Sequence, residues 1–471
     1  MDASETSFEQ SVLTRLPLAD AVMTIARHVL EPTVLNELYE ENRGASYQKS
    51  LSFAEMVELI RHALIGPKKS LRAHLDAAAE AQTLSATPRA VYDKLSRMPI
   101  AASQALLCQC TDRLRRLVPT ETVSPNIPAS MAHFSVVLLD GKLIKHVPRR
   151  LRPLRLDRVN ASTLLGGRAL AAYELNSGMV LGFHSHPDGE ANDVKFVPEV
   201  LSMLECREGL RRPLYVCDSA FGTVMQAQRM AERGDFIMRL HGGTSFIRDE
   251  SVPVLVGEDR FGRETRDESG WVVRLGDGVR MPVRRISVER DLEPLKVITS
   301  LMDRERYPAN DILELYLHRW QIETMFQEVT EVFDLRRLIG TTPKAMLFQM
   351  ALCMLIYNVI RVVKHYVADA GKQKVEDVSS EKLFGDVNEE MTAAYKLIPE
   401  PELCELIREF DSPIDLVEWL RARLAPCWKK IWLKAKREPR DPSRPIPPRP
   451  LKIRQTKCHD SVHRILERQQ T

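Results

Sequence analysis

The chain has 471 residues, 44% of them hydrophobic, which is enough for two to four domains and at least one large core. It contains no run of about 18 uncharged apolar residues and begins with an acidic, polar segment, so we expect neither a membrane span nor a signal peptide. The eight cysteines form no pair of C-x-x-C units, which favours reduced thiols of a cytosolic protein over a zinc site.

The N-terminal quarter, residues 1–125, is predicted to be helical. Apolar residues recur there at spacings of three and four, in 18–30 and again in 53–65. A break follows at Pro67. We therefore expect a helical region before the first strand.

The stretch SATPRAVYDKLSRMP predicts a short basic helix, with Ser85 as a candidate N-cap and Pro88 in the first turn. Arg89, Lys94 and Arg97 are expected to line one exposed side. That side would suit the DNA-reading helix of a helix-turn-helix, with Arg89 and Lys94 as DNA contacts. A short basic helix without such a role is the simpler alternative.

A Pro-rich linker is predicted at 119–128, and the pattern then changes to buried strands. The order strand, strand, strand, helix, strand, helix, strand favours a mixed sheet with a hairpin followed by crossovers. The predicted elements are a strand at 133–141 ending in Asp140, a hairpin at 168–187 turning at 176–178, a helix at 193–204, a strand at 212–221 ending near Asp218, a helix after it, and a strand at 235–240.

The second half of the chain starts with a β-rich stretch. Residues 242–294 look like an all-β insertion, and the main sheet resumes with a strand at 295–302. A long helix is predicted from Asn310 and an apolar helix at 344–363, followed by further helices. We therefore divide the chain into a helical DNA-binding region at 1–125, a central domain at 130–365, and a helical C-terminal region at 366–471 with a basic, Pro-rich tail.

Two segments are strongly basic although the net charge is only +3. Residues 141–158 contain seven Lys and Arg against one Asp, and residues 428–457 contain eleven against two acids. Both suit a polyanion such as DNA, although ordinary solvated surface would have the same composition. In the first segment, Arg149, Arg150 and Arg152 are candidate phosphate contacts.

Three acids are candidate catalytic residues. Asp140 and Asp218 each end a predicted buried strand, at an edge of the sheet where side chains converge. On the helix that follows Asn310, the residues Tyr316, Arg319 and Glu323 fall within roughly 60° of arc. Three carboxylates could hold two Mg²⁺ ions for phosphodiester chemistry, with Arg319 and Tyr316 binding phosphate.

The motif Tyr316-x-x-Arg319-x-x-x-Glu323 resembles the Y-R-E-K signature of DDE transposases from bacterial insertion sequences. The stretches LLDGK and VCDSAF resemble the two aspartate motifs of that family, and YPANDILELYLHRWQIETMF and the later YNVIR are similar to it as well. A β-rich insertion lies between Asp218 and Glu323, as in that branch. The resemblance covers about residues 130–365.

The resemblance implies an RNase H-like mixed sheet with helices on both faces and an all-β insertion. It also implies that Asp140, Asp218 and Glu323 bind two Mg²⁺ ions, which Mn²⁺ can replace. One position departs from the family: Thr330 stands seven residues after Glu323, where the family has a lysine. The contact to the DNA strand that this lysine makes would then be absent or come from elsewhere, for example from Arg336 or Arg337.

The stretch VLGFHSHPDGEAND offers a competing metal site, because His184 and His186 resemble the start of a JAMM-type zinc isopeptidase motif. That motif needs Ser and Asp where this chain has Val194 and Val197, so it fails at both positions. We therefore expect a strand end followed by a helix cap, with Asp193 near the N-terminus of the helix.

The resemblance implies an active transposase. Such an enzyme binds the terminal inverted repeats of a mobile element, cleaves the ends with divalent metal, and joins the 3′ ends to target DNA. A hairpin intermediate, a homodimer in a synaptic complex, and a place in the bacterial cytosol near the nucleoid follow from the same resemblance. The alternatives are a transposase-derived DNA-binding protein without catalysis and, third, a host nuclease with this fold. The presence of all three carboxylates favours the active enzyme.

Overall fold

The computed structural model describes residues 7–46, 51–65, 70–80, 85–119, 127–145, 147, 150–151, 154, 163–274, 278–290, 293–435 and 459–469. Most of the predicted linker at 119–128 and the whole Pro-rich stretch at 440–454 lie outside these residues. The seven cysteines among them are free thiols, in agreement with the sequence-based expectation.

The N-terminal region is helical, as predicted. Its helices pack on one another and on the long helix of the central domain through a shared apolar core. They are α1 (Phe8–Thr14), α2 (Pro17–Val29), α3 (Pro32–Asn42), α4 (Phe53–Ile65), α5 (Leu71–Glu80), α6 (Pro88–Ser96) and α7 (Ile100–Arg115).

The N-cap of α6 is Thr87, whose hydroxyl accepts a hydrogen bond from the N–H of Ala90. Pro88 is the first helical residue, as predicted. The prediction of Ser85 as the cap is wrong, because a capping hydroxyl must directly precede the first turn to reach its free N–H groups.

A ten-stranded mixed sheet forms the centre of the described structure, in the order β4-β3-β1-β5-β6-β11-β10-β9-β7, with β8 paired to β9. The pairs β1–β5 and β5–β6 are parallel, and the other neighbours run antiparallel. The strands are β1 (Ser135–Leu143), β2 (Thr163–Leu165, outside this sheet), β3 (Arg168–Glu174), β4 (Met179–His186), β5 (Pro213–Cys217), β6 (Asp235–Arg239), β7 (Ser245–Arg248), β8 (Leu255–Glu258), β9 (Glu264–Val273), β10 (Arg280–Val288) and β11 (Leu295–Thr299).

The predicted hairpin is confirmed. Strands β3 and β4 pair antiparallel, and Gly178 in the turn between them has a φ of 70°, a conformation that only glycine adopts without strain. The predicted crossover helices are also present, as α8 (Val197–Glu205) and α9 (Val224–Ala231).

The β-rich character predicted for 242–294 is confirmed, and its strands extend the central sheet rather than forming a separate unit. Strand β11 pairs antiparallel with β6, β10 pairs with β11, and β9 pairs with β10. Without β11, β6 would be an edge strand with a row of unpaired N–H and C=O groups. Pairing with β11 provides hydrogen-bond partners for these groups.

The single helix predicted from Asn310 is two helices, α10 (Ala309–Leu317) and α11 (Gln321–Glu331), joined by a 3₁₀ turn at His318–Trp320. The single-helix prediction is wrong. The turn contains neither Gly nor Pro, and the apolar spacing continues through it. The sequence pattern therefore could not reveal that one helix ends and another begins. The tighter turn matters because it carries Arg319.

Helix α12 (Pro343–Ala370) is the longest in the described structure and extends beyond the predicted 344–363. It continues because Lys364 and His365 are themselves buried. Its length and composition would allow it to cross a membrane, but all of its apolar window is buried inside the protein, as in a core helix.

Both faces of the sheet are covered by helices, as predicted. On β1, Val137 and Leu139 belong to one core with α8 and α9, whereas Val136 and Leu138 belong to a second core with α11 and α12. All four side chains are fully buried, and burial of each contributes roughly 1.5–3 kcal/mol. Alternate residues of one strand thus tie both helical layers to the sheet.

The C-terminal region is helical, as predicted, and its last described segment returns to the central domain. There β12 (His459–Ser461) pairs in parallel with β2. The helices are α13 (Ser380–Leu397), α14 (Glu400–Leu406), α15 (Pro413–Leu424) and α16 (Val462–Glu467).

Candidate active site

Asp140 and Asp218 lie side by side on neighbouring parallel strands. The register of β1 with β5 ends at the pair Leu139–Cys217, one residue before each aspartate. Neighbouring strands are about 4.8 Å apart, so the two backbones are close at this point. Side chains alternate along a strand, so both aspartates share the face of Leu138, which α11 and α12 cover.

Strand β1 does not end at Asp140, contrary to the prediction. It continues to Leu143, because its antiparallel partner β3 extends to Arg168 opposite Leu143. Only the parallel partner β5 stops, at Cys217. Asp140 therefore lies where one side of β1 has lost its neighbour, and this gap in the sheet gives its carboxylate access to solvent.

Tyr316, Arg319 and Glu323 come together across the 3₁₀ turn, as the sequence predicted. A guanidinium Nη1 of Arg319 lies 2.7 Å from Oε1 of Glu323. Burial disfavours the charge of Arg319, but Asp218 and Glu323 outweigh it and raise its pKa. Burial raises the pKa of Tyr316 to about 12, so this residue remains a neutral hydrogen-bond donor at physiological pH.

The charge on Asp140 is unfavourable in its surroundings. Burial raises its pKa to about 6, and the carboxylates of Glu323 and Asp218 act in the same direction. The N–H of Gly141, which donates to Oδ1 of Asp140 over 2.8 Å, and the charge of Arg319 oppose this shift. Three carboxylates therefore interact at one place with a single arginine among them, and we call Asp140, Asp218 and Glu323 the carboxylate site.

The donor set of the carboxylate site fits Mg²⁺ by its chemistry, because carboxylate oxygens are the hard ligands that this ion prefers. Burial and the neighbouring carboxylates, which raise the pKa of Asp140, would both be offset by the charge of a bound cation. As they stand, no three or more His, Cys, Asp or Glu side chains in the described ranges are grouped closely enough to hold a metal ion. The carboxylate of Glu323 is instead bound to Arg319.

Gly141 is required by a close approach on the opposite face of β1. A Cβ atom at this position would overlap the carboxylate of Asp193, which is bound to Arg168 over 2.8 Å. The Asp-Gly pair at 140–141 is therefore a packing feature within a strand rather than a turn. It also ties the strand that carries Asp140 to the segment that follows His186.

The second candidate metal site, residues 184–193, is named here the histidine segment. Its acids already have partners: Arg464 of α16 pairs with Asp188 over 2.8 Å and also with Glu190. Asn192 caps the next helical turn by accepting from the N–H of Val194, which confirms the predicted strand end and cap. Burial lowers the pKa of His184, which makes this ring a neutral, packed side chain at pH 7.

The basic candidates on α6 differ from the prediction. The side chain of Arg89 is 93% exposed, as expected. Lys94 is half-buried, its Nζ donates to the main-chain oxygen of Leu51, and it lies 5.2 Å from the ring centroid of Tyr39. Burial lowers its pKa to about 8. The prediction that Lys94 lies on an exposed DNA-reading side is therefore wrong.

The remaining basic candidates fall mostly outside the described residues. Arg150 is described and exposed, whereas Arg149 and Arg152 lie outside, as do residues 436–458 of the second basic segment. Arg336 is exposed, and Arg337 pairs with Asp334 over 3.5 Å.

Sequence reasoning missed Lys142, which it counted only as part of a basic segment. The available signal was its position two residues after Asp140, on the same face of the strand.

Comparison with known proteins agrees with this geometry. Residues 133–359 match the family model of the transposase DDE domain. This range contains β1, β5 and α11 and thus all three acids of the carboxylate site. Residues 133–359 are therefore similar to the transposase DDE domain family, which supports the resemblance to DDE transposases of insertion sequences. The branch with the Y-R-E-K signature stays a prediction.

Two curated relatives are similar over shorter stretches. "Putative transposase y4zB" of Sinorhizobium fredii is 31% identical over 125 residues, which are 26% of this chain and 33% of that protein. The transposase InsG for insertion sequence element IS4 of Escherichia coli is 31% identical over 88 residues, which are 18% of this chain and 20% of that protein. The chain thus spans a third or less of the length of either relative.

Among solved structures, the chain is similar to the piggyBac transposase in a synaptic complex with hairpin DNA. The TM-score is 0.39 at 9% identity, and the superposition covers 87% of this chain and 85% of that one. At that level, the likeness carries no inference about this chain.

Proposed function

We propose that this chain is an active DNA transposase that binds the terminal inverted repeats of a mobile element. It cleaves the ends by divalent-metal-dependent hydrolysis and transfers the 3′ ends to target DNA. We further propose that it works in the bacterial cytosol, near the nucleoid, as a homodimer that holds both ends in a synaptic complex. The observation that carries the proposal is the carboxylate site inside a transposase DDE domain.

In this proposal Asp140, Asp218 and Glu323 hold two Mg²⁺ ions, which Mn²⁺ can replace. Two such ions, when bound, activate the attacking oxygen and stabilise the leaving oxygen of a phosphodiester. The metal charge would also favour the ionised form of Asp140, whose pKa burial raises to about 6. At neutral pH most Asp140 is ionised and ready to act as a ligand.

Arg319 and Tyr316 bind the phosphate in this proposal. The planar guanidinium of Arg319 matches two phosphate oxygens, and its charge is permanent. Tyr316 stays protonated and donates one hydrogen bond. Since Arg319 is bound to Glu323 in the described structure, substrate and metal would together replace this internal contact with one to phosphate and one to metal.

The exposed basic residues hold DNA outside the carboxylate site. Arg150, seven residues after the end of β1, and Arg89 on α6 are the described candidates. Arg149 and Arg152 share this proposed role from positions outside the described residues. Lys94 is left out of the proposal because its ammonium contacts the main-chain oxygen of Leu51 and the ring of Tyr39 and does not lie on the exposed side of α6 with Arg89.

The test is cleavage of a plasmid that carries the gene with its flanking DNA. Glu323→Gln keeps the shape of the side chain and removes its charge, so cleavage in Mg²⁺ should fall below detection while DNA binding persists. Glu331→Gln, at an exposed position of the same helix, is the matched control and should cleave normally. Normal cleavage by Glu323→Gln would overturn the assignment. Binding without any cleavage by the unaltered chain would favour the DNA-binding protein that has lost catalysis.

A further inference from the structure

Lys142 places an ammonium group beside the carboxylate site. It follows Asp140 by two residues on β1, so both side chains share one face of the sheet. Its Nζ donates to Oγ1 of Thr330 over 2.8 Å and to the main-chain oxygen of Phe326 over 3.3 Å. It also lies 5.3 Å from the ring centroid of Phe326. The ammonium of Lys142, on β1, thus contacts the second half of α11.

Both acceptors of Lys142 are neutral. The hydroxyl of Thr330 donates its own proton to the main-chain oxygen of Phe326 over 2.6 Å, so towards Lys142 it acts only as an acceptor. An ammonium has three N–H donors, and these contacts use two. Within the described part of the chain, no ion pair or further hydrogen bond engages the third.

Lys142 differs in its partners from two other partly buried cations of the central domain. Arg168 and Arg319, which are also partly buried, are each paired with a carboxylate. Burial lowers the pKa of Lys142 and the charge of Lys145 adds to this shift, whereas the charges of Asp140 and Glu331 oppose it. The ammonium is thus held in place by neutral acceptors, without an ion pair among the described residues, which is how a preorganised anion contact is built.

Thr330 on α11 leaves room for the ammonium of Lys142, which extends from β1. It stands two helical turns after Glu323, on the same side of α11 as the carboxylate site. A lysine at this position would bring a second ammonium against Lys142. Threonine instead supplies the oxygen that orients Lys142, so the positive charge at this corner of the site is provided by β1.

We propose that Lys142 binds a DNA backbone phosphate that flanks the cleaved bond, using the N–H that Thr330 and Phe326 leave free. The inference rests on the proposed function, since it assigns a DNA contact to the carboxylate site. Lysine suits this role as a compact charge that neutralises one phosphate without reading the base. Lys142 is a binding and positioning residue, and it takes no part in bond making.

The test measures binding of the full chain to a random-sequence duplex of about 30 base pairs, in EDTA, over a range of salt concentrations. Lys142→Met should weaken binding about tenfold at low salt and lower the slope of log K against log salt by about 0.9, the loss of one phosphate contact. Lys142→Arg keeps the charge and should keep the slope. Lys396→Met removes one exposed lysine of α13 and is the matched control, with an unchanged slope.

A double variant that exchanges the two residues provides the second test. Lys142→Thr combined with Thr330→Lys moves the ammonium from the strand to the helix across the same contact. It should recover most of the slope that Lys142→Thr alone loses, a recovery that a purely structural role of Lys142 would not produce. Thermal unfolding of each variant verifies that the fold is retained.

The outcomes separate this inference from the proposed function. If the unaltered chain binds no duplex, the proposed function fails. If the unaltered chain binds and Lys142→Met has the same slope as Lys396→Met, the inference about Lys142 is overturned while the proposed function stands. If the double variant Lys142→Thr, Thr330→Lys did not recover the salt slope, this would likewise contradict a phosphate contact beside the carboxylate site.

Discussion

The carboxylate site and the histidine segment lie on the same sheet, and both have the acids of a metal centre. They differ in what those acids touch. In the histidine segment Asp188, Glu190 and Asp193 are each bound to an arginine of another element. In the carboxylate site Arg319 interacts with all three acids, and Glu323 and Asp218 disfavour the charge of Asp140. Acids paired with arginines support packing, whereas a buried acid such as Asp140, whose acidic neighbours disfavour its charge, indicates a place for an external cation.

The electrostatic contrast appears in two aspartates, of which Asp140 is the more deeply buried. Burial, with a smaller contribution from its acidic neighbours, raises the pKa of Asp140 to about 6. For Asp188, burial is outweighed by hydrogen bonds from Ser461, the N–H of Glu190 and Arg464, and the pKa is lowered. A count of acids and histidines in the sequence does not distinguish these cases, because the partners come from distant parts of the chain.

The largest expected difference between the two regions is in catalysis. Asp140→Asn should lower the rate of Mg²⁺-dependent plasmid cleavage by about a thousandfold or more, since it removes a ligand charge that no neighbour replaces. Asp188→Asn removes an acid that only supports packing and should cleave at close to the normal rate. Equal losses in the two variants would show that the contrast has no bearing on catalysis.

The pH dependence of cleavage should carry the signature of Asp140. Its pKa is raised, so the metal-binding carboxylate is protonated as the pH falls, and cleavage at low Mg²⁺ should decrease about tenfold per unit below about pH 6. Because metal and proton compete for the same oxygens, more Mg²⁺ should move this limb to lower pH. Rates measured from pH 5 to pH 8 at two Mg²⁺ concentrations test this, and a limb that does not move would contradict it.

Stability without metal should change in the opposite direction from activity. A carboxyl whose pKa is raised by folding makes the folded state less stable above that pKa, and the penalty disappears below the unfolded value near 4. Asp140→Asn should therefore raise the free energy of unfolding in EDTA by about 1 kcal/mol at pH 8 and leave it unchanged at pH 4. Urea denaturation at both pH values measures this. Destabilisation at pH 8 would mean that the charge of Asp140 is well compensated in the fold.

The smallest effect is expected for the two histidines. The double variant His184→Ala, His186→Ala should retain metal-dependent cleavage, because the acids near these rings are bound to arginines and a burial-lowered pKa keeps His184 neutral. Cleavage by the purified double variant, compared with the unaltered chain at equal metal concentration, is the measurement. Loss of activity in a folded double variant would restore the histidine segment as a functional site.

The sequence by itself determined which elements form and which acids stand beside them. Buried apolar runs placed β1 and β5, the turn residues around Gly178 placed the hairpin, and the spacing of Tyr316, Arg319 and Glu323 placed all three near one surface. These features depend on local periodicity and turn chemistry, which a single chain displays directly.

Tertiary structure decided pairing and partners. The register that aligns Asp140 with Asp218, the extension of the sheet by β11, and the inward turn of Lys94 onto Leu51 all depend on residues far apart in the chain. The contact of Lys142 with Thr330 is of the same kind. Local patterns indicate which face of an element a residue occupies. Which distant group its charge meets depends on the fold, because electrostatic interactions act through space rather than along the sequence.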